Sequence, residues 1–239
     1  MDYEYTFTKR AESYLSALLK YPTVLTNEFR NAIAVCNLQY GQTLLTVPSS
    51  CEKIDTPPEL SIIHIPFETN KELSRLTNTP YCKFNSIPCN DNSIDKILSL
   101  ASLHHCTNDE RQEFYKEALR LLKPGGQLII GDVLKHSDQD TWLNEFVNKY
   151  NSIGHRGEFW SEEDAGLLQS CGFSVRTVIK DYAWNFTDIQ SMYDFTRRLF
   201  SVDLASDNDI HQGLQNYLHA DFKNCSFPWK LMYFIASRP

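Results

Sequence analysis

The chain has 239 residues, of which 30 are acidic and 23 are basic, so its formal net charge is −7, and 42% of its residues are hydrophobic. This hydrophobic share excludes a disordered chain, and the acidic balance argues against binding to DNA or RNA, because neutralising phosphates needs clustered lysine and arginine. The sequence has no run of about 18 apolar residues, so we expect no membrane-spanning helix.

The cysteines and the N-terminus favour a reducing compartment. The chain starts without the basic segment and apolar stretch of a signal peptide. No CxxC pair occurs among its seven cysteines, which are scattered at positions 36, 51, 82, 89, 106, 171 and 225. We therefore expect a cytoplasmic protein with buried free thiols and neither a disulfide framework nor a zinc site.

Taken in chain order, the apolar periodicity predicts strands that alternate with helices. The predicted helices cover residues 8–20, 27–40, 70–76, 108–122, 139–150, 161–170, 187–200 and 207–219. The predicted strands cover residues 42–48, 61–65, 79–84, 93–102, 127–134, 173–180 and 229–237. Thr8, Asn108 and Ser161 are the expected N-caps, and Gly41 and Gly172 the expected helix ends.

This alternation through residue 134 predicts a parallel sheet with helices on both faces. Ligands of such sheets bind at the carboxyl ends of the strands. Of the nine glycines, none lies between Gly41 and Gly125, which excludes a glycine-built phosphate loop from that stretch.

Residues 87–134 carry a specific resemblance. Ile87-Pro88-Cys89 leads into the fourth strand, Leu103-His104-His105 follows that strand, and Leu122 to Gly126 reads LKPGG before the fifth strand. This combination resembles the second half of the class I S-adenosylmethionine-dependent methyltransferases of the type 11-like group. The resemblance implies a Rossmann-like fold with a seven-stranded, mostly parallel sheet whose last strand is antiparallel. It further implies one domain over residues 1–239, with a helical lid at 1–26 and a helical cap at 182–228.

The resemblance also implies site residues. Catalytic candidates are His105, His104 and Asp132, of which a histidine would act as general base. The substrate candidates are His155, Arg156 and Trp184. S-adenosylmethionine would lie against residues that follow the first four strands, namely Val47, Pro48, Ser49, Ser50, Phe67, Glu68, Phe84, Asn85, Leu100 and Ala101.

The cofactor half of the chain departs from the family pattern. Thr46 to Cys51 stand where the family has a glycine-rich loop after the first strand. The acidic residue that the family has at the end of the second strand aligns with Pro66. The acidic residue that it has after the third strand falls near Lys83 or Asn85, neither of which is acidic. Two functions follow as hypotheses. The first is methyl transfer from S-adenosylmethionine to a small molecule. The second is a protein that has lost this cofactor and serves as a non-catalytic partner subunit, or as an enzyme with another ligand in the same cleft.

Several candidates also have a structural interpretation. His104 and His105 could each be ordinary packing residues. Asp132 could cap the turn after its strand. Arg156 could form a surface ion pair instead of binding a substrate carboxylate. No group of His, Cys and acidic residues has metal-ligand spacing, so no metal site is expected. The expected partner is a small molecule, with a protein partner or a homodimer as further options, and with neither nucleic acid nor membrane.

Overall fold

The computed structural model describes residues 3–49 and 56–239, which form a mixed α/β structure around one six-stranded sheet. The sheet order is β2-β1-β3-β4-β6-β5. The strands are β1 (Thr43–Thr46), β2 (Ile63–Pro66), β3 (Ile94–Leu100), β4 (Leu122–Asp132), β5 (Ser174–Asn185) and β6 (Ser226–Ser237).

The predicted fold class is confirmed. Strands β1 to β4 pair in parallel, and β6 runs antiparallel to both β4 and β5. The expected third strand at 79–84 is the exception, because this segment makes only isolated bridges, a parallel one between Glu68 and Tyr81 and an antiparallel one between Lys83 and Ser86. The sheet therefore has six strands where seven were expected.

Nine α-helical segments surround the sheet in the described ranges. They are α1 (Tyr3–Lys20), α2 (Thr26–Cys36), α3 (Lys71–Thr77), α4 (Asn108–Leu121), α5 (Asp138–Thr141), α6 (Asn148–Tyr150), α7 (Ala165–Ser170), α8 (Ile189–Phe200) and α9 (Asp207–Leu218). A π-helical turn over Trp142–Val147 joins α5 to α6.

The strand residues alternate between two cores, as the two-residue period of a strand requires. On β6, Leu231, Tyr233 and Ile235 face the core that contains α2, α8 and α9. Met232, Phe234 and Ala236 face the core that contains α4 and α7. Both faces of the sheet are thus covered by helices, which explains why its central strands β3 and β4 are largely buried.

Three predicted helix boundaries are wrong. The second helix ends at Cys36, where Asn37 adopts a left-handed conformation (φ 46°), and does not continue to Gly41. The N-cap of α4 is Thr107, whose side chain forms a capping box with Glu110, and not Asn108. Thr8 lies inside α1.

Helix α1 connects two distant parts of the chain. The side-chain amide of Asn70, at the start of α3, donates to the Glu4 carbonyl (3.0 Å) and to the Thr8 hydroxyl (3.3 Å). On its other side, the Ser13 hydroxyl donates to the carbonyl of Arg198 in α8 (3.0 Å). Helix α1 therefore spans from the end of β2 to the segment between β5 and β6. None of the described helices has the length and apolarity that crossing a membrane requires.

Candidate functional site

The candidate site lies at the carboxyl ends of β3 and β4, beside the point where the strand order reverses. From β1 the chain moves outward to β2 and then returns to place β3 on the other side of β1. Crevices at such switch points are the usual ligand sites of open parallel sheets. The segment after β3 carries His104 and His105, and Asp132 is the last residue of β4.

A narrow pocket of about 90 Å³ opens here, and we call it the inner pocket. Its wall is mostly apolar and aromatic, with a few charged or titratable side chains from α1, α2 and the segment after β3. It is lined by Arg10, Tyr14, Leu25, Glu28, Leu100, Ala101, His104, His105, Val133, Leu143, His155, Trp184, Leu199, Phe200, Trp229 and Leu231.

The central polar contact is a buried pair between His104 and Asp132. The His104 Nδ1 lies 2.9 Å and 3.1 Å from the two carboxylate oxygens of Asp132. The carboxylate is held in place by the backbone N–H groups of His104 (3.2 Å) and Val133 (2.8 Å). Because a carboxylate only accepts, it favours the tautomer with the proton on Nδ1 and leaves Nε2 as the basic nitrogen of His104.

A second concavity of about 500 Å³, the outer groove, shares His104 and His105 with the inner pocket. Its remaining wall is polar, formed by Cys106, Thr107, Asn144, Asn148, Arg156, Gly157 and Glu158. The two histidines therefore separate a narrow, largely apolar pocket from a wider polar groove.

The loop at 154–158 is fixed to the helix opposite it. Asn144, in the π-helical turn, accepts from the Gly157 N–H (2.8 Å) and donates to the Gly157 carbonyl (3.1 Å). Asn148 accepts from the N–H of His155 (3.0 Å). A Cβ atom at Gly157 would lie 2.9 Å from the His104 ring, so the loop backbone packs directly against this imidazole.

Arg111 of α4 also forms hydrogen bonds in this region. Its Nε donates to the Leu103 carbonyl (3.0 Å) and its Nη2 to the Glu158 carbonyl (2.5 Å). Its guanidinium lies 4.1 Å from the ring centroid of Trp160. One buried side chain thus joins the segment that carries the two histidines to the loop that carries His155.

The structure brings three histidines together. His104, His105 and His155 are 7%, 6% and 2% exposed, and one ring nitrogen of each lies within 4.8 Å of the others. Burial, with further contributions from His104 and Arg10, lowers the pKa of both His105 and His155 well below the usual value. Sequence spacing alone gave no sign of this cluster, because His155 is contributed by a loop far along the chain.

Glu28 and Arg10 are charged pocket residues that were not predicted from the sequence. The Tyr182 hydroxyl donates to the Glu28 carboxylate (2.6 Å), and burial raises the pKa of this carboxyl to about 7. Burial also lowers the pKa of Arg10 to about 10. A signal for Glu28 did exist, since it lies four positions before Ala32 and seven before Val35, on the buried face of α2.

The predicted cofactor residues after β1 are buried. Val47, Pro48 and Ser49 continue β1 inward, with the Val47 N–H bonded to the Leu98 carbonyl (3.0 Å) and the Ser49 N–H bonded to the Phe67 carbonyl (2.8 Å). Ser50 lies outside the described residues. The Ser49 hydroxyl is buried and has no hydrogen-bond partner among the described residues.

The residues after β2 form a polar edge next to this turn. Glu68 is fully buried, and its Oε1 accepts from the N–H groups of Thr69 (2.8 Å) and Asn70 (3.2 Å). The Thr69 hydroxyl is buried with no hydrogen-bond partner in the described part of the chain. Phe67, just before Glu68, packs in the apolar core.

The other predicted residues are dispersed. Phe84 packs edge-on against Phe114 (5.2 Å between centroids), and exposed Asn85 donates to Glu113 (2.7 Å). Leu100, Ala101, His155 and Trp184 line the inner pocket, where Trp184 stacks on Trp229 (4.3 Å). Arg156 is exposed and belongs to the outer groove instead.

Comparison with known proteins places a family segment at the centre of the chain. Residues 64–130 match the model of a family described as a methyltransferase domain. An uncharacterized protein of Escherichia coli, YafE, is 33% identical over 98 residues. That match covers 40% of this chain and 46% of YafE, so the chain spans less than half the length of this relative.

Solved structures match over most of the chain at low identity. An S-adenosylmethionine-dependent methyltransferase of Thermotoga maritima has a TM-score of 0.61 at 15% identity, covering 98% of both chains. Phosphoethanolamine N-methyltransferase 2 of Haemonchus contortus, solved with S-adenosyl-L-methionine, has a TM-score of 0.59 at 14% identity. That match covers all of this chain and 60% of the other. At identities this low, the likeness to these structures shows the fold alone.

Proposed function

Because this chain has the class I methyltransferase fold and its residues 64–130 match the methyltransferase domain family, we propose that it is an enzyme that methylates a small molecule. The observation that carries this proposal is the buried His104–Asp132 pair beside the inner pocket. A narrow pocket of about 90 Å³ favours a small acceptor, or the tip of a larger one, over a folded macromolecule.

S-adenosylmethionine is the methyl donor that this family implies, and the residues at the ends of β1 and β2 fit its polar parts. Buried hydroxyls need hydrogen-bond partners, and those of Ser49 and Thr69 have none among the described residues. The buried Glu68 carboxylate lies next to Thr69 on the same edge. We propose that these three residues hold the donor, which supplies an electrophilic methyl group when bound.

The chain's own task is to position the acceptor and take up its proton. Asp132 holds the proton on Nδ1 of His104, so that Nε2 is free to accept a proton from an acceptor hydroxyl or amine. The imidazolium that results is stabilised by the Asp132 carboxylate. His105 and His155 remain neutral through burial. We therefore assign the proton acceptor to His104 and not to His105, with Asp132 as its positioning residue.

The test follows an isotopic methyl group. The purified chain is incubated with a small-molecule extract and with S-adenosylmethionine that carries a trideuterated methyl group, and labelled products are detected by mass spectrometry. We expect a labelled product with the wild type, reduced by about 100-fold in His104→Gln and Asp132→Asn. His136→Asn, which changes an exposed histidine outside both concavities, is the matched control. Label transfer that survives in His104→Gln would remove the assigned role.

A second candidate rests on the turn after β1. Thr46 to Ser49 fill, with buried side chains, the place of the family's glycine-rich loop. This favours a protein that has kept the fold and serves as a partner subunit, or converts another ligand, without the methyl donor. The same assay separates the two, because a metabolite that the wild type consumes without added S-adenosylmethionine supports this second function.

A further inference from the structure

The histidine cluster around the inner pocket has the composition of a metal centre. His104 and His105 follow β3, and His155 is contributed by the loop held by Asn144 and Asn148. We propose that His104, His105 and His155 form a binding site for one divalent first-row metal ion of the zinc type. No ligand from outside the described residues is needed to build it.

The distances are close to those of a three-histidine site. With metal–nitrogen bonds of about 2.0–2.1 Å in tetrahedral geometry, ligand nitrogens lie about 3.4 Å apart and the ring centroids about 5 Å apart. The centroid separations here are 4.1 Å, 5.1 Å and 5.6 Å for the three pairs. The ring nitrogens, within 4.8 Å of one another, thus need to approach by at most about 1.4 Å when an ion binds.

The hydrogen bonds orient two of the rings for ligation. The His104 Nδ1 is held by Asp132, so Nε2 is the nitrogen left to face an ion, and a carboxylate behind a ligating imidazole strengthens its donation. The His155 imidazole interacts with the Leu143 backbone, but its buried Nδ1 makes no hydrogen bond of ordinary geometry to the described residues. An ion would satisfy this buried nitrogen.

The charges around the cluster are mixed, with one carboxylate in direct contact with a proposed ligand. Arg10 lines the same pocket and opposes a second positive charge. Asp132 contacts His104 directly, and the Glu28 carboxyl lines the pocket as well.

Three protein ligands leave one position open toward the pocket, which is the pattern of catalytic and not of structural zinc sites. An acceptor hydroxyl bound there would have a lowered pKa and would release its proton to solvent water, because the His104 Nε2 would then be a ligand and no longer the proton acceptor. This consequence rests on the proposed function, whereas the site itself does not.

The test is a titration of the full chain with Co²⁺ and Zn²⁺ after dialysis against a chelator, in the absence of any methyl donor. We expect one Co²⁺ per chain, with visible absorption bands of a low-coordinate nitrogen site that disappear when Zn²⁺ is added. His155→Ala should weaken binding by at least about 100-fold, and Asp132→Asn by about 10- to 100-fold. His136→Asn should bind as the wild type does.

Two results would overturn the inference: no binding of either ion by the wild type up to millimolar concentration, or equal binding by His155→Ala and the wild type. Circular dichroism of each variant checks its fold, and His155→Gln, which keeps a buried polar side chain, replaces the alanine variant if that one unfolds. Since binding is read without donor or acceptor, a failure here leaves the methyl-transfer proposal standing, and a failure of the isotope assay leaves the metal site standing.

Discussion

The buried Glu28 carboxyl provides a stability prediction that can be worked out in full. Its pKa is raised from 4.5 to about 7, chiefly by burial, while the Tyr182 hydroxyl bond at 2.6 Å opposes the rise. The folded protein therefore binds this proton more tightly than the unfolded chain does. The stability that the neutral carboxyl contributes is fully present below about pH 4.5 and is lost as the pH rises to about 7.

The magnitude follows from the shift. A difference of about 2.5 pKa units at about 1.4 kcal/mol each corresponds to about 3 kcal/mol by which the ionised carboxyl destabilises the fold above pH 7. Glu28→Gln replaces the neutral carboxyl by an amide of the same shape, whose oxygen can still accept from Tyr182. We expect this variant to match the wild type near pH 4 and to exceed its free energy of unfolding by about 3 kcal/mol at pH 8.

The assay is urea unfolding of both proteins from pH 4 to pH 9, in the presence of a chelator so that metal binding does not contribute. Glu59→Gln, which removes an exposed carboxylate, controls for the change in net charge. A difference between Glu28→Gln and the wild type that stays constant across this pH range would refute the reasoning, because it would place the Glu28 carboxyl in a water-like environment.

Two further substitutions test the supports of the site. Gly157→Ala places a Cβ within 2.9 Å of the His104 ring and should lower both methyl transfer and stability, the latter by about 1–3 kcal/mol, measured by urea unfolding. Gly166→Ala, whose Cβ meets nothing within 4 Å, should be neutral or stabilising, and equal losses in both variants would contradict the account. Arg111→Lys loses the planar fork over Trp160 and should cost about 1–3 kcal/mol, whereas an unchanged midpoint would show that this brace is dispensable.

Much of the fold was predictable because its central strands carry local signals. The apolar runs within β3, β4 and β6 are long. The LKPGG segment at 122–126, expected before the fifth predicted strand, lies inside β4, whose pairing with β3 is irregular there. The segment at 79–84 was wrongly predicted as a strand. Its Pro80 lacks an N–H, and in the structure the segment forms only isolated bridges, of Tyr81 with Glu68 and of Lys83 with Ser86.

The candidate site was predictable only in part, because its geometry depends on contacts far apart in the sequence. His104 and Asp132, which lie at or just after the ends of strands, were predicted from the family resemblance together with the place of ligands in such sheets. His155 lies next to His104 because the side-chain amides of Asn144 and Asn148 hold its loop, and no sequence pattern predicts these hydrogen bonds. Glu28 was overlooked although its helical spacing with Ala32 indicated a buried position.

The most direct test of the central claim is a calorimetric titration of the wild-type chain with S-adenosylmethionine and with its demethylated product. The account predicts saturable binding of both ligands at micromolar strength, weakened by Ser49→Ala and Thr69→Val, since the hydroxyls of both residues are proposed to contact the donor. No heat of binding at millimolar ligand, from a chain that unfolds cooperatively, would contradict methyl transfer and leave the fold serving another ligand.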